Sequence, residues 1–182
     1  SAVHVAAPGV AIRSTAPAYS NVSGFPEGFE GTRAQFNSRW GDRVGSPLWN
    51  RSGVRTVGQF SLTDSPSGLY STSTTTSISK LAAVNLAGRS GCQIRYHMYL
   101  DTEFQDDGND LTDDWFEIWV GPTFFSGWAG WSEDLFFGIT EDFSEFDNQS
   151  GLMLRFELNP DGDGVRFTGV ILDNLIIRCL KK

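Results

Sequence analysis

The sequence predicts an all-β fold, a jelly-roll β-sandwich of two antiparallel sheets. Three observations carry this. Short runs rich in β-branched and aromatic residues recur along the 182 residues, separated by clusters of Gly, Pro, Asp and Ser. Several runs alternate apolar and polar side chains with a period of two, the pattern of a strand with one buried face. No segment has a convincing amphipathic-helix pattern: "SEDLFFGITEDF" (132–143) comes closest and alternates about as well as it spirals. Many short antiparallel strands without helices bury their apolar faces by stacking two sheets, and a jelly roll closes such a stack with its terminal strands near each other.

Residues 1–22 read as a strand and linker apart from the rest. "VHVAAPGVAI" is a short strand broken at Pro8-Gly9, and "RSTAPAYSN" is rich in turn formers. The sandwich occupies residues 23–182. Its first segment, "SGFPEGFEG" (Ser23–Gly31), predicts a strand starting at Phe29-Glu30 after the break at Pro26. "VRTVGQFSL" (54–62) predicts a strand, "TDSPSG" (63–68) a turn, and the Thr-rich "STSTTTSIS" (71–79) an edge segment. "AAVNL" (82–86) then leads into "CQIRYHMYL", where Ile94, Tyr96, Met98 and Leu100 share one face. "DWFEIWVG" (114–121) sets Phe116, Ile118 and Val120 against Trp115, Glu117 and Trp119. "GLMLRFELNP" (151–160) sets Leu152, Leu154, Phe156 and Leu158 against Met153, Arg155 and Glu157. In "TGVILDNLIIRCL" (168–180), Val170 and Leu172 face in with Leu175 and Ile177 only if the period slips by one residue, which predicts a bulge near Asp173-Asn174.

A chain of 182 residues suits one domain, burying about 70% of its unfolded surface. Hydrophobic residues at 40% and aromatics at 13% exclude a disordered chain. A net charge of −8 argues against nucleic acid and acidic membranes as partners and leaves room for a cation. No apolar run approaches the ~20 residues of a membrane span, and no signal-peptide pattern is present. Cys92 and Cys179 are the two cysteines, without a CxxC motif, so they are either paired in an oxidising compartment or two buried thiols.

Two resemblances cover different parts of the chain. From about Gly24 to Leu180, five pieces stand in one order: "GFE" (28–30), "TDSPSGLYS" (63–71), "CQIRYHMYLDTE" (92–103), "GLMLRFELNPDGDG" (151–164) and "GVILDNLIIRC" (169–179). In these the chain resembles the jelly-roll modules of immune inhibitor A-type metallopeptidases and the related MAM domains of extracellular proteins. Asn174 departs from the family's paired Asp in the closing strand. The resemblance implies a disulfide between Cys92 and Cys179, and a structural ion near the first and closing strands that favours Glu30, Asp64 and Asp173 as ligands. The opening "VHVAAPGVAIRSTAP" resembles the Ala-Ala-Pro-Gly segment of subtilisin-like serine proteases, whose nucleophile motif Gly-Thr-Ser-Met-Ala is absent here. That resemblance implies a module inserted in a subtilase.

A Ser-His-Asp site needs a base within reach of a nucleophile; His97 lies mid-strand between Arg95 and Tyr99, and no Gly-x-Ser-x-Gly turn exists. The acids of "DLTDDWFE" and "TEDFSEFD" fit solvated or cation-binding turns better than a glycosidase pair. Ca²⁺ takes oxygen ligands, and Glu30, Asp64, Glu103, Asp114 and Asp173 are candidates. "DDGND" (106–110) and "NPDGDG" (159–164) look like calcium loops without the terminal Glu of an EF-hand. The aromatic run "DWFEIWVGPTFFSGWAGW" offers Trp128 and Trp131 as a ligand platform, or rings for the core.

These readings converge on a non-catalytic accessory domain of a secreted subtilisin-like protease. It would bind substrate or matrix, or support the fold, and calcium would stabilise it. Its partners would be the protease catalytic domain in cis and a protein or glycan substrate. The alternative is a free-standing carbohydrate-binding or adhesion module. Exposed rings favour the alternative; buried rings favour structural support.

Overall fold

The computed structural model describes residues 17–45, 49–103, 113–130, 135–165 and 167–181. In chain order the elements are β1 (Tyr19–Asn21), α1 (Arg33–Arg39), β2 (Trp40–Val44), β3 (Asn50–Ser52), β4 (Ser61–Thr63), β5 (Thr76–Lys80), β6 (Gln93–Asp101), β7 (Trp115–Val120), β8 (Thr123–Trp128), β9 (Phe137–Asp142), β10 (Leu154–Asn159) and β11 (Gly169–Leu180). One sheet has the order β3-β4-β11-β6-β9, with β1 also on β11; the other has the order β2-β5-β10-β7-β8. All the pairings are antiparallel, and the fold is a jelly-roll sandwich. Among the described residues no helix is long and apolar enough to cross a membrane.

The strongest sequence alternations become inner faces, that of β6 in one sheet, with Ile94, Tyr96, Met98 and Leu100 buried, and those of β7 and β10 in the other. Phe116, Ile118 and Val120 of β7 and Leu154, Phe156 and Leu158 of β10 are buried. Phe156 is the meeting point: its ring lies 5.4 Å from Trp40, 6.0 Å from Phe116 and 6.4 Å from Trp49. Trp49 is held by its indole N–H, which donates to Thr76 Oγ1 at 3.0 Å. Lys80 also points inward, its ammonium 5.4 Å from the Phe25 ring and 5.6 Å from Trp40, and burial lowers its pKa.

β11 carries the predicted bulge. Asp173 pairs with His97, the next paired residue is Ile176 with Arg95, and Asn174 between them has φ +51°. Val170, Leu172, Leu175 and Ile177 are all buried as a result.

Several expectations change. "STSTTTSIS" is not an edge: β5 lies between β2 and β10, because Thr76, Ile78 and Lys80 face the core and β2 covers its other side. Most of 54–62 is irregular, and only Ser61 and Leu62 of it are in a strand. Phe29-Glu30 is not a strand; Phe29 has φ +60°, and the first segment joins the sheet through a single bridge, Glu27 to Leu175. The 132–143 segment contributes β9, and the one α-helix among the described residues is α1, opened by a Thr32–Gln35 capping box. The sandwich also reaches back past residue 23, since Tyr19–Asn21 pairs with Arg178–Leu180.

Cys92 and Cys179 are bonded, 87 positions apart in sequence. The bond ties the start of β6 to the end of β11. Replacing both cysteines by serine is expected to lower the unfolding free energy by up to about 4–5 kcal/mol, the chain-entropy value for a loop of this length. Equilibrium denaturant titration of the two proteins reads this as a shift in midpoint.

Candidate functional site

Since one face of β7 and β10 is core, the alternate residues must stand on the outer face of the five-stranded sheet. Pairing sets Arg155 opposite Trp119, Glu157 opposite Glu117 and Asn159 opposite Trp115. Ser79 of β5 flanks Arg155, and Phe124 of β8 flanks Trp119. The guanidinium carbon of Arg155 lies 5.0 Å from the Trp119 ring, and Phe124 meets that ring edge-on at 5.7 Å. Trp119 Nε1–H donates to Glu117 Oε2 at 2.8 Å, and Asn159 Nδ2 donates to Glu157 Oε1 at 3.3 Å. Arg155 Nε sits 3.2 Å from Glu157 Oε2, an ion pair without hydrogen-bond alignment. Burial raises the Glu117 pKa, the Trp119 N–H offsets part of the shift and the Glu157 charge adds to it. The face thus combines half-buried rings with carboxylate acceptors. Phe124, 51% exposed, is open to solvent at its edge.

The aromatic run divides between two places. Trp115 and Trp119 stand outward, whereas Phe125 and Trp128 pack against the core. Trp128 Nε1–H donates to Tyr96 Oη at 3.1 Å across the seam between the sheets, so its ring joins the structural set. Trp131 lies outside the described residues, as do residues 1–16 and the "DDGND" sequence at 106–110.

The predicted acids have separate duties. Asp173 is fully buried: Oδ2 accepts from Thr56 N at 2.7 Å, Thr56 Oγ1 at 2.8 Å and Val57 N at 2.7 Å, and Oδ1 accepts from Asn174 N at 2.7 Å. Glu30 Oε1 accepts from Gln59 N at 2.6 Å and Phe60 N at 3.1 Å. These two carboxylates hold the irregular segment before β4. A Cβ at Gly58 would lie 2.0 Å from Glu30 Oε1, so only glycine fits there. His97 Nδ1 lies 2.9 Å from Thr56 Oγ1, but that hydroxyl donates to Asp173 and stands between imidazole and carboxylate. A hydrolytic triad needs the imidazole in the middle.

Asp64 is fully buried against Gly169; Oδ1 accepts from Val170 N at 2.7 Å, and Oδ2 has no hydrogen-bond partner. Asp114 accepts from the Tyr70 hydroxyl and, at 2.7 Å, from Asp161 N. Among the described residues, Glu30, Asp64 and Asp173 form no converging group of three. Glu103, Asp161 and Asp163 do, with ligand atoms all within 4.8 Å of one another. The "NPDGDG" motif was the signal for two of these; Glu103 reaches them from the end of β6.

No family model matches the sequence, and no curated protein matches it. Solved structures do share its fold. A family 11 carbohydrate-binding module from Clostridium thermocellum, solved with a β-1,3-1,4-mixed-linked tetrasaccharide, matches with TM-score 0.52 and 12% identity over 91% of this chain and 97% of that one. The module TmCBM61, solved with β-1,4-galactotriose, matches with TM-score 0.51 and 9% identity over 87% of this chain and 97% of that one. At these identities the likeness shows the jelly-roll sandwich. Neither neighbour is a protease or a MAM domain.

Burial pushes the Asp64 carboxyl, ordinarily near 3.8, up to about 7, with the Val170 N–H offsetting part of the shift. A folded-state value above the unfolded one means that the fold binds this proton more tightly. The stability it contributes is complete below about pH 4 and lost as pH rises through about 7. Unfolding free energy is therefore expected to fall by up to about 4 kcal/mol from this group between those limits. Denaturant titrations of wild type and Asp64→Asn across pH 4–8 check it: the variant's curve should lack this slope.

Proposed function

We propose that the chain is a non-catalytic glycan-binding module whose ligand lies across the outer face of the five-stranded sheet. The observation that carries this is Trp119, ringed by Arg155 and Phe124 and bordered by Glu117 and Glu157. An aromatic face stacks on the C–H side of a sugar ring while carboxylates accept its hydroxyl protons. The saccharides held by the two proteins of similar fold support the reading. The Cys92–Cys179 bond supports an extracellular setting, where disulfides persist. The subtilase-like motif at residues 3–17 supports a secreted protease as the parent enzyme, with this module tethering it to glycan or matrix.

Trp119→Ala is expected to weaken binding of mixed-linkage β-1,3-1,4-glucan or β-1,4-galactan at least tenfold, about 1.4 kcal/mol, with the fold intact. Affinity electrophoresis and calorimetry read it. Unchanged binding in the variant would place the ligand elsewhere.

We also propose a Ca²⁺ at Glu103, Asp161 and Asp163. Their donors are all oxygens, as Ca²⁺ requires. The loop that brings two of them is shaped by Asp161 Oδ1 accepting from Asp163 N at 2.9 Å and Asp163 Oδ1 accepting from Val165 N at 2.7 Å. At 100 times its dissociation constant, Ca²⁺ should stabilise the fold by about 2.7 kcal/mol. Melting in EDTA and in Ca²⁺, for wild type and Asp163→Asn, tests this; equal melting temperatures for the wild type would count against the ion.

A further inference from the structure

We propose that this sheet face selects uncharged glycans and excludes chains bearing carboxylates, an inference that rests on the face being the glycan site. The argument comes from its charge layout. Glu117 and Glu157 are directly opposite on neighbouring antiparallel strands, which puts their Cβ atoms about 4.5–5.5 Å apart. Like charges in that position repel, and the face is arranged to hold them. Trp119 donates to one, Asn159 to the other, and Arg155 lies beside Glu157.

Arg155 is the cation among the described outward-facing residues of β5, β7, β8 and β10. It is engaged on two sides, by the Trp119 ring and by Glu157. A carboxylate on an incoming sugar therefore meets two carboxylates against one guanidinium, which is already stacked on Trp119 and ion-paired with Glu157. A neutral sugar brings hydroxyl donors instead. Each carboxylate offers about four acceptor positions, only some of them filled by the protein, so hydroxyl donors on the ligand find acceptors on this face. The net charge of −8 extends the same bias over the whole surface.

The test uses linkage-matched pairs: mixed-linkage β-1,3-1,4-glucan and β-1,4-galactan, each beside its C6-oxidised derivative, in which a carboxylate replaces the hydroxymethyl group. Binding is measured calorimetrically for wild type, Trp119→Ala and Glu117→Gln/Glu157→Gln, at low salt and at about 0.5 M salt. The wild type should bind the oxidised form at least about tenfold more weakly than its neutral parent. That ratio should shrink at high salt, where exposed charges are screened, and shrink again in the double variant. The salt series alone decides the matter if the double variant fails to fold. Oxidised chains bound as tightly as neutral ones, through Trp119, would overturn the inference and leave the glycan reading standing. No binding of either neutral polymer, with Trp119→Ala indistinguishable from wild type, would remove both.

Discussion

The register between β7 and β10 is the constraint on which the rest of this molecule depends. Phe156 sits among Trp40, Trp49 and Phe116, and no one-residue slip of β10 can keep it there. A slip would turn Arg155 and Glu157 into the core and expose Phe156 and Leu158. The aromatic packing thus fixes the inner face and, by alternation, the outer one. Glu157 stands opposite Glu117 because Phe156 stands opposite Ile118. The core and the proposed binding face are two sides of one pairing.

The same logic separates the acids. Asp173 Oδ2 and Glu30 Oε1 accept from backbone amides of one irregular segment, which gives both an architectural duty. Without them the amides of Thr56, Val57, Gln59 and Phe60 would lose these acceptors away from a sheet. Asp64 lies at the opposite extreme, with a buried oxygen that satisfies nothing when ionised and therefore favours the proton. Glu103, Asp161 and Asp163 crowd their charges together at a loop. Three groups of one residue type meet three fates, set by the donors that the fold brings near.

This explains what the sequence made legible. β6, β7 and β10 each bury one face, so their alternation is a direct print of the core. The bulge at Asp173 was readable for the same reason: the apolar period breaks there and resumes one step late. The disulfide followed from a resemblance and not from any spacing rule. Residues 54–60 misled because β-branched composition signals strand, whereas Asp173 captures their amides from 116 and 117 residues away. α1 escaped because seven residues are too few to show a period, although Thr32 and Gln35 mark its start. The proposed binding face is half visible. Trp119, Glu117, Arg155 and Glu157 can be assigned to the outward side of their strands, but only the pairing shows that they are neighbours. Trp128, a candidate from the same aromatic run, packs against the core.

An open sheet face has consequences that a closed pocket lacks. Strands here are about 4.8 Å apart, so Ser79, Arg155, Trp119 and Phe124 form a row crossing four strands. A ligand on such a row is bound along its length and need not present an end. The side chains are held before it arrives: Trp119 is fixed by its N–H to Glu117 and by Arg155 above the ring. Little rotamer freedom remains to be lost on binding, which favours affinity on a shallow surface. The same hydrogen bonds fix the positions of the two carboxylates. On the proposed reading, pre-organisation and discrimination against anionic chains arise from one network, and neither can be altered without disturbing the other.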